Sequence, residues 1–187
     1  MARKALEGGI NWVQIRIKNH SFAAWKQIAF ETKQVCDSFG ATCIINDNAL
    51  IAKEIGADGV HLGKTDMSPI EARKLLGKGK IIGATANTFE DILALAEMKV
   101  DYIGLGPFRF TGTKQSLSPI LGIEGYEKIL GEMKNAGIYL PIIGIGGITL
   151  ADIFALKKTG LSGIAISSAI NLAENPTLSA SQLLKAL

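Results

Sequence analysis

Short runs rich in Ile, Val and Leu recur along the whole chain, at 12–17, 42–45, 59–62, 81–85, 102–105, 142–145 and 163–167, with helical patterns between them. Several of these runs are apolar at every position instead of alternating, so both of their faces must be covered. Strands covered on both sides, each separated from the next by a helix, specify a parallel α/β sheet. The helical stretches carry their own punctuation. Segment 21–39 places Phe22, Trp25, Ala29, Val35, Cys36 and Phe39 on roughly one stripe, and Gly40 ends it. Ser68, Pro69 and Glu71 supply an N-cap, a proline in the first turn and a capping-box acid. Thr88 with Asp91 and Thr149 with Asp152 open two more helices, and Gly56, Gly137 and Gly160 are expected stops.

Doubly wound sheets gather their ligand groups at one switch point, whereas here nearly every strand ends in a polar group. That distribution favours a (β/α)8 TIM barrel. The count is one short. Seven strands are found, and segment 1–7 followed by Gly8-Gly9 reads as the tail of a first helix with no strand before it. The 187 residues also fall below the usual barrel minimum of about 200. The expectation is a single barrel domain over 1–187 that lacks its first strand, the natural protein beginning about 15–25 residues upstream.

Composition excludes several classes. A net charge of +3, with basic residues set beside acidic ones on helix faces, does not suit nucleic acid. No apolar run approaches the roughly 20 residues of a membrane span, and no signal-peptide core follows Met1. Cys36 and Cys43 lack metal-type spacing and read as buried thiols of a reducing, cytoplasmic compartment.

The chemistry lies at the strand ends. After 102–105, Gly106-Pro107 halt the strand and a polar run offers Thr111, Thr113 and Lys114, two hydroxyls and an ammonium suited to a phosphorylated ligand. With Gly112 inside it, segment 111–118 is expected to act as a ligand-ordered lid. Gln14, Arg16 and Lys18 alternate and so point to one side, and such a row inside a barrel implies an anion. Asn46-Asp47 and Asp66 bring two carboxylates to neighbouring strand ends without a cysteine or histidine cluster. This suits a hard cation such as Mg²⁺, held partly through substrate phosphates. Asp66 taken alone fits a turn before Ser68 equally well. Thr85 and Asn87 end one strand or begin the next helix. Gly146-Gly147, ahead of the Thr149 cap, and the hydroxyls of Ser167-Ser168 form an anion cradle. His61, inside a strand, is expected to be a core histidine and His20 a surface one, so imidazole base catalysis is disfavoured.

The rim thus holds two anion sites. One comprises Gln14, Arg16, Lys18, Asn46, Asp47, Asp66 and Lys114 with a divalent metal, the other Thr111, Thr113, Gly147, Ser167 and Ser168 without one. That pairing suggests a transferase joining two phosphorylated molecules.

Gln14-Ile15-Arg16-Ile17-Lys18, Asn46-Asp47, Gly59 to Gly63 with Asp66, Tyr102 to Pro107 with Thr111 to Lys114, and Ile145 to Ile148 with Ser167-Ser168 resemble, in order, the thiamine phosphate synthase family. The resemblance covers nearly the whole chain. It implies condensation of hydroxymethylpyrimidine diphosphate with thiazole phosphate, through loss of pyrophosphate to a carbocation that the thiazole nitrogen captures. Carried over, Asp47 and Asp66 would bind Mg²⁺, and Arg16, Lys18 and Lys114 would neutralise the diphosphate. Gln14 and Asn46 would hydrogen-bond the pyrimidine substrate or its diphosphate, with Thr85 on the pyrimidine side. Thr111, Thr113, Gly147, Ser167 and Ser168 would hold the thiazole phosphate. Arg16, Lys18, Thr85 and Lys114 form the implied catalytic set, and a homo-oligomer is compatible with the resemblance. The chain departs from the pattern at Ile17, usually glutamate, at Asn48, at Thr85, usually serine, and at Asn87, often histidine. Alternatives are a thiazole tautomerase-like barrel, a catalytically silent thiazole-phosphate-binding regulator, and a sugar-phosphate isomerase or epimerase.

Overall fold

The computed structural model describes residues 1–110 and 119–187. Strands β1 (Trp12–Ile15), β2 (Thr42–Asn46), β3 (Gly59–Leu62), β4 (Ile81–Ala86), β5 (Tyr102–Leu105), β6 (Ile142–Ile145) and β7 (Gly163–Ala165) form one sheet in chain order, every neighbouring pair parallel. Helices α1 (Ala2–Glu7), α2 (Phe22–Ser38), α3 (Ala49–Glu54), α4 (Pro69–Leu76), α5 (Phe89–Glu97), α6 (Gly122–Asn135), α7 (Ile153–Lys158), α8 (Ser168–Asn171) and α9 (Pro176–Ala186) fill the intervals. The result is a curled, TIM-like α/β half-barrel. The first run pairs only as far as Ile15 and the last only as far as Ala165, so Arg16, Lys18, Ser167 and Ser168 lie beyond the ladder, on the rim.

Register explains the continuous apolar runs. Ile15, Ile45, Val60 and Ile82 share one row, and Leu62, Ala84, Ile103 and Ile142 the next. Both rows are buried in the main core under the helices, where each large side chain contributes about 1.5–3 kcal/mol. From α2, Trp25, Ala29 and Cys36 are buried, while Phe22 and Phe39, at the ends of the stripe, are exposed. Ser68 and Thr88 close their capping boxes with Glu71 and Asp91, as their spacing requires.

The other face of the sheet carries a polar row beside Ile44 and Ile143. Asn46, His61, Gly83 and Tyr102 form one register row, followed by Thr85, Gly104 and Ile143. The glycines here provide room. A Cβ on Gly83 would lie 2.1 Å from the Tyr102 ring, and one on Gly104 2.8 Å from the His61 ring.

Among the described residues β1 and β7 do not pair, and they form the two edges of the sheet. Outside that opening α1 meets α9, so closely that a Cβ on Gly8 would stand 2.6 Å from the Cβ of Ala180. No described helix is long and apolar enough to cross a membrane.

One side chain from the helix layer fixes the sheet's rim. Tyr126 of α6 is fully buried; its hydroxyl donates to Leu105 O (2.7 Å) and accepts from Ile145 N–H (3.2 Å). It therefore joins the C-terminal ends of β5 and β6. Tyr126→Phe leaves both backbone groups without this partner and should destabilise the protein by about 1–3 kcal/mol, measured as a lowered urea midpoint.

Candidate functional site

The C-terminal ends of β1, β2 and β3 bring together one group of charged residues. Lys18 Nζ lies 2.7 Å from Asp47 Oδ2. The Asn46 amide donates to Asp47 Oδ1, and the Asp47 N–H donates to the carbonyl of His61 (2.8 Å), tying β2 to β3. Asp47 has φ 68°, a left-handed conformation uncommon outside glycine and held only where its surroundings impose it. Asp66 reaches back to accept the Gly63 N–H at 2.7 Å. It closes the turn before Ser68 and also faces Asp47. Burial pushes the Asp66 carboxyl above its usual range, the Gly63 N–H works against that, and the adjoining Asp47 carboxylate pushes it up again. Two carboxylates brought together, with one exposed ammonium paired to Asp47, leave unbalanced negative charge.

The oxygens of this cluster are hard donors. The cluster offers carboxylate oxygens from two neighbouring strands, without sulfur or imidazole, and among the described residues no group of three His, Cys, Asp or Glu converges. A cation that keeps several waters and takes further oxygens from a phosphorylated substrate, as Mg²⁺ does, suits two carboxylates.

Below this cluster lies the polar floor. His61 Nδ1 is 3.0 Å from the Tyr102 hydroxyl and His61 Nε2 is 2.9 Å from Thr85 Oγ1. The Gln14 side chain acts on the same Tyr102 hydroxyl from β1. His61 is buried as expected of a core residue, yet it sits on the polar side of the sheet and not among the apolar rows. Gln14, Arg16 and Lys18 are exposed, so the cost of burying them, which argued for an anion, is not incurred in this open sheet; Gln14 lies within β1, and Arg16 and Lys18 follow it onto the rim. Asn87 donates to the Gly106 carbonyl (2.5 Å) and joins β4 to β5.

A second constellation lies across the mouth. Gly146 and Gly147 have φ 93° and 71°, turning the chain sharply after β6. A Cβ on Gly147 would lie 2.5 Å from Arg109 Cγ. Arg109 donates to the Gly147 carbonyl (2.9 Å) and makes a two-armed ion pair with Asp152 (2.8 and 2.7 Å), whose carboxylate also caps Thr149. One guanidinium thus fastens the loop after β6 to the segment after β5. Gly147 and Ser167 each lie two residues past the last β6–β7 register pair, Ile145 with Ala165, which makes the glycine turn and Ser167-Ser168 neighbours on the rim.

Thr111, Thr113 and Lys114, together with the lid expected over 111–118, lie outside the described residues. The flanks of that segment meet, Leu121 N–H donating to Pro107 O and Gly122 N–H to Phe108 O (both 3.0 Å). Sequence reasoning missed Tyr102 and Arg109. Tyr102 opens a strand and looks like a core residue, and its only signal is the pair of small residues, Gly83 and Gly104, facing the aromatic row. The partners of Arg109 are 38 and 43 positions away, and no local pattern marks them.

Comparison with known proteins adds to this geometry. Residues 1–170 match the family model described as thiamine monophosphate synthase. A thiamine-phosphate synthase of Phocaeicola vulgatus is 51% identical over 175 residues, covering 94% of this chain and 84% of the relative. One from Flavobacterium psychrophilum is 50% identical over 185 residues, covering 99% of this chain and 90% of the relative. The solved thiamine phosphate pyrophosphorylase of Pyrococcus furiosus superposes with a TM-score of 0.88 at 31% identity, over 99% of this chain and 86% of that one.

The Arg109–Asp152 clamp has a pH signature. Burial pushes the Asp152 carboxyl up, but the bonds from Arg109 and Thr149 prevail and hold its pKa below the ordinary value. A carboxyl depressed on folding adds stability above its unfolded pKa and loses it as pH falls. Asp152→Asn should therefore cost about 1 kcal/mol near pH 7. In paired urea titrations this gap from wild type should close below about pH 4.

Proposed function

The chain belongs to the thiamine monophosphate synthase family, and we propose that it condenses hydroxymethylpyrimidine diphosphate with thiazole phosphate, releasing pyrophosphate and forming thiamine phosphate. It is a transferase. The observation that carries the reading is the Lys18–Asp47–Asp66 cluster beside the polar floor, set across the mouth from the Gly146-Gly147 turn.

In this reading the bond between the pyrimidine methylene carbon and the bridging oxygen breaks with both electrons leaving on pyrophosphate. The thiazole nitrogen then supplies its lone pair to form the C–N bond. Neither event requires a proton to be removed, consistent with a chain of two histidines. What the reaction does require is positive charge where negative charge grows and a nucleophile held close. Arg16 and Lys18 meet the departing diphosphate at the end of β1, joined by Lys114. Asp47 and Asp66 would hold Mg²⁺, which when bound neutralises charge on the diphosphate. Gln14, Asn46 and Thr85 orient the pyrimidine end. Thr111, Thr113, Gly147, Ser167 and Ser168 hold the thiazole phosphate with neutral donors. Thr85, where serine is usual, keeps the hydroxyl, and that hydroxyl bonds His61. The two buried thiols suit a reducing compartment, and residues 1–187 act as one barrel unit.

The tautomerase-like and regulatory alternatives use a phosphate cradle but have no need of two rim acids brought together opposite a lysine. Pyrophosphate release measured with both substrates and Mg²⁺, against each substrate alone, separates the readings. Release only with both substrates is the expected result. Lys18→Met should lower kcat about 100-fold, and Asp66→Ala should abolish the response to added Mg²⁺. Undiminished release from Asp66→Ala would remove that residue from metal binding.

A further inference from the structure

His61 joins two hydroxyls and can treat only one of them as an acceptor. A neutral imidazole has one N–H and one lone pair, so of Tyr102 and Thr85 one must donate to the ring and the other must accept from it. The two cases differ at the mouth of the site. If Thr85 donates to Nε2, its proton is used inside the floor and it shows the substrate only lone pairs. If Tyr102 donates to Nδ1, the ring donates from Nε2 to Thr85, and the Thr85 proton is released outward. A phenol is a far stronger acid than an aliphatic alcohol, which favours the second case.

In that case the bonds run in one sense, from Tyr102 through His61 to Thr85. Gly83 and Gly104 are what allow both rings to reach it.

We propose that His61 is a positioning residue whose Nε2–H tautomer makes Thr85 a hydrogen-bond donor, so that the floor selects a pyrimidine whose ring nitrogen beside the amino group is an acceptor. That nitrogen's lone pair is the complement of the Thr85 proton. An oxo-pyrimidine carries a proton on the same nitrogen and sets donor against donor, the situation in which polar sites discriminate most strongly. The inference rests on the reaction assigned above.

Two measurements test it. The first reads the tautomer by ¹⁵N NMR of ring-labelled histidine in the whole protein, with His20→Gln identifying the His61 signals by subtraction. One fixed state with the proton on Nε2 is expected, and a proton on Nδ1 overturns the proposal. The second compares pyrophosphate release from hydroxymethylpyrimidine diphosphate and from its 4-oxo analogue. Wild type should prefer the amino compound at least about 100-fold in kcat/KM. Tyr102→Phe should lose about tenfold of that preference through KM for the pyrimidine, leaving KM for thiazole phosphate unchanged. His61→Gln, which keeps an N–H for Thr85, should retain more of the preference than His61→Leu. Full preference in Tyr102→Phe or equal loss in the two His61 variants refutes the role of His61 while leaving the reaction intact. No release from either compound by wild type would remove the reaction itself, and this inference with it.

Discussion

Parallel strands laid side by side in chain order leave all their C-terminal ends on one rim, and the chemistry of this protein follows from that constraint. Neighbouring strands stand about 4.8 Å apart, so acids placed at the ends of β2 and just beyond β3 cannot avoid each other. The loops add to the convergence, with Asp47 held in a left-handed turn and Asp66 folded back onto Gly63. Lys18 offsets only part of the repulsion, because its side chain is 54% exposed and a wet ion pair is worth little. Charge left unbalanced in this way is what a cation with a bound diphosphate can relieve. The same rim that stabilises the fold by covering both faces of each strand thus also creates an electrostatic need.

The interior face shows the same economy in a different form. Barrels of this type usually fill their centre with branched apolar side chains, and Ile44 and Ile143 do so here. One row is instead given to Asn46, His61 and Tyr102, with Thr85 in the next. Buried polar groups are tolerable only when their bonds are made, and the described buried side-chain polar atoms all have a partner. Matching the bulk of two rings against two glycines is what makes such a row possible, because any side chain at Gly83 would occupy the place of the Tyr102 ring.

Much of this was legible in the sequence because it is written locally. Continuous apolar runs reveal strands covered on both sides, and the caps at Ser68, Thr88 and Thr149 depend on residues three positions apart. Alternation alone put Gln14 on the face away from Ile15, and Arg16 and Lys18 follow β1 onto the rim. The pairing of Asp47 with Asp66 was readable once the strands were taken as neighbours. Less legible were features made by residues distant in the chain. Whether His61 lies with the helices or in the interior depends on the phase of β3, a matter of one residue in register, and its bonds to Tyr102 and Thr85 reach across 41 and 24 positions. Arg109 is anonymous until the fold brings Asp152 to it. The premature end of β1 has a similar cause. As an edge strand it has one neighbour only, β2, so Arg16 and Lys18 are not held in a ladder.

The two halves of the mouth differ because the proposed reaction asks different things of them. A diphosphate that departs with the bonding electrons gains charge as it goes, so the groups that meet it must grow stronger in the transition state. Cationic side chains and a divalent ion do this. The phosphate on the thiazole keeps its charge throughout, and cations placed on it would bind ground state and transition state equally, adding affinity without rate. Backbone N–H groups and hydroxyls suffice to hold it. Their value lies in fixed position, which is the service Arg109 performs by anchoring the Gly146-Gly147 turn to the segment that follows β5. Among the described residues Arg109 on that side is committed to Asp152 and Gly147, which in the proposed reaction leaves the holding of the phosphate to neutral donors.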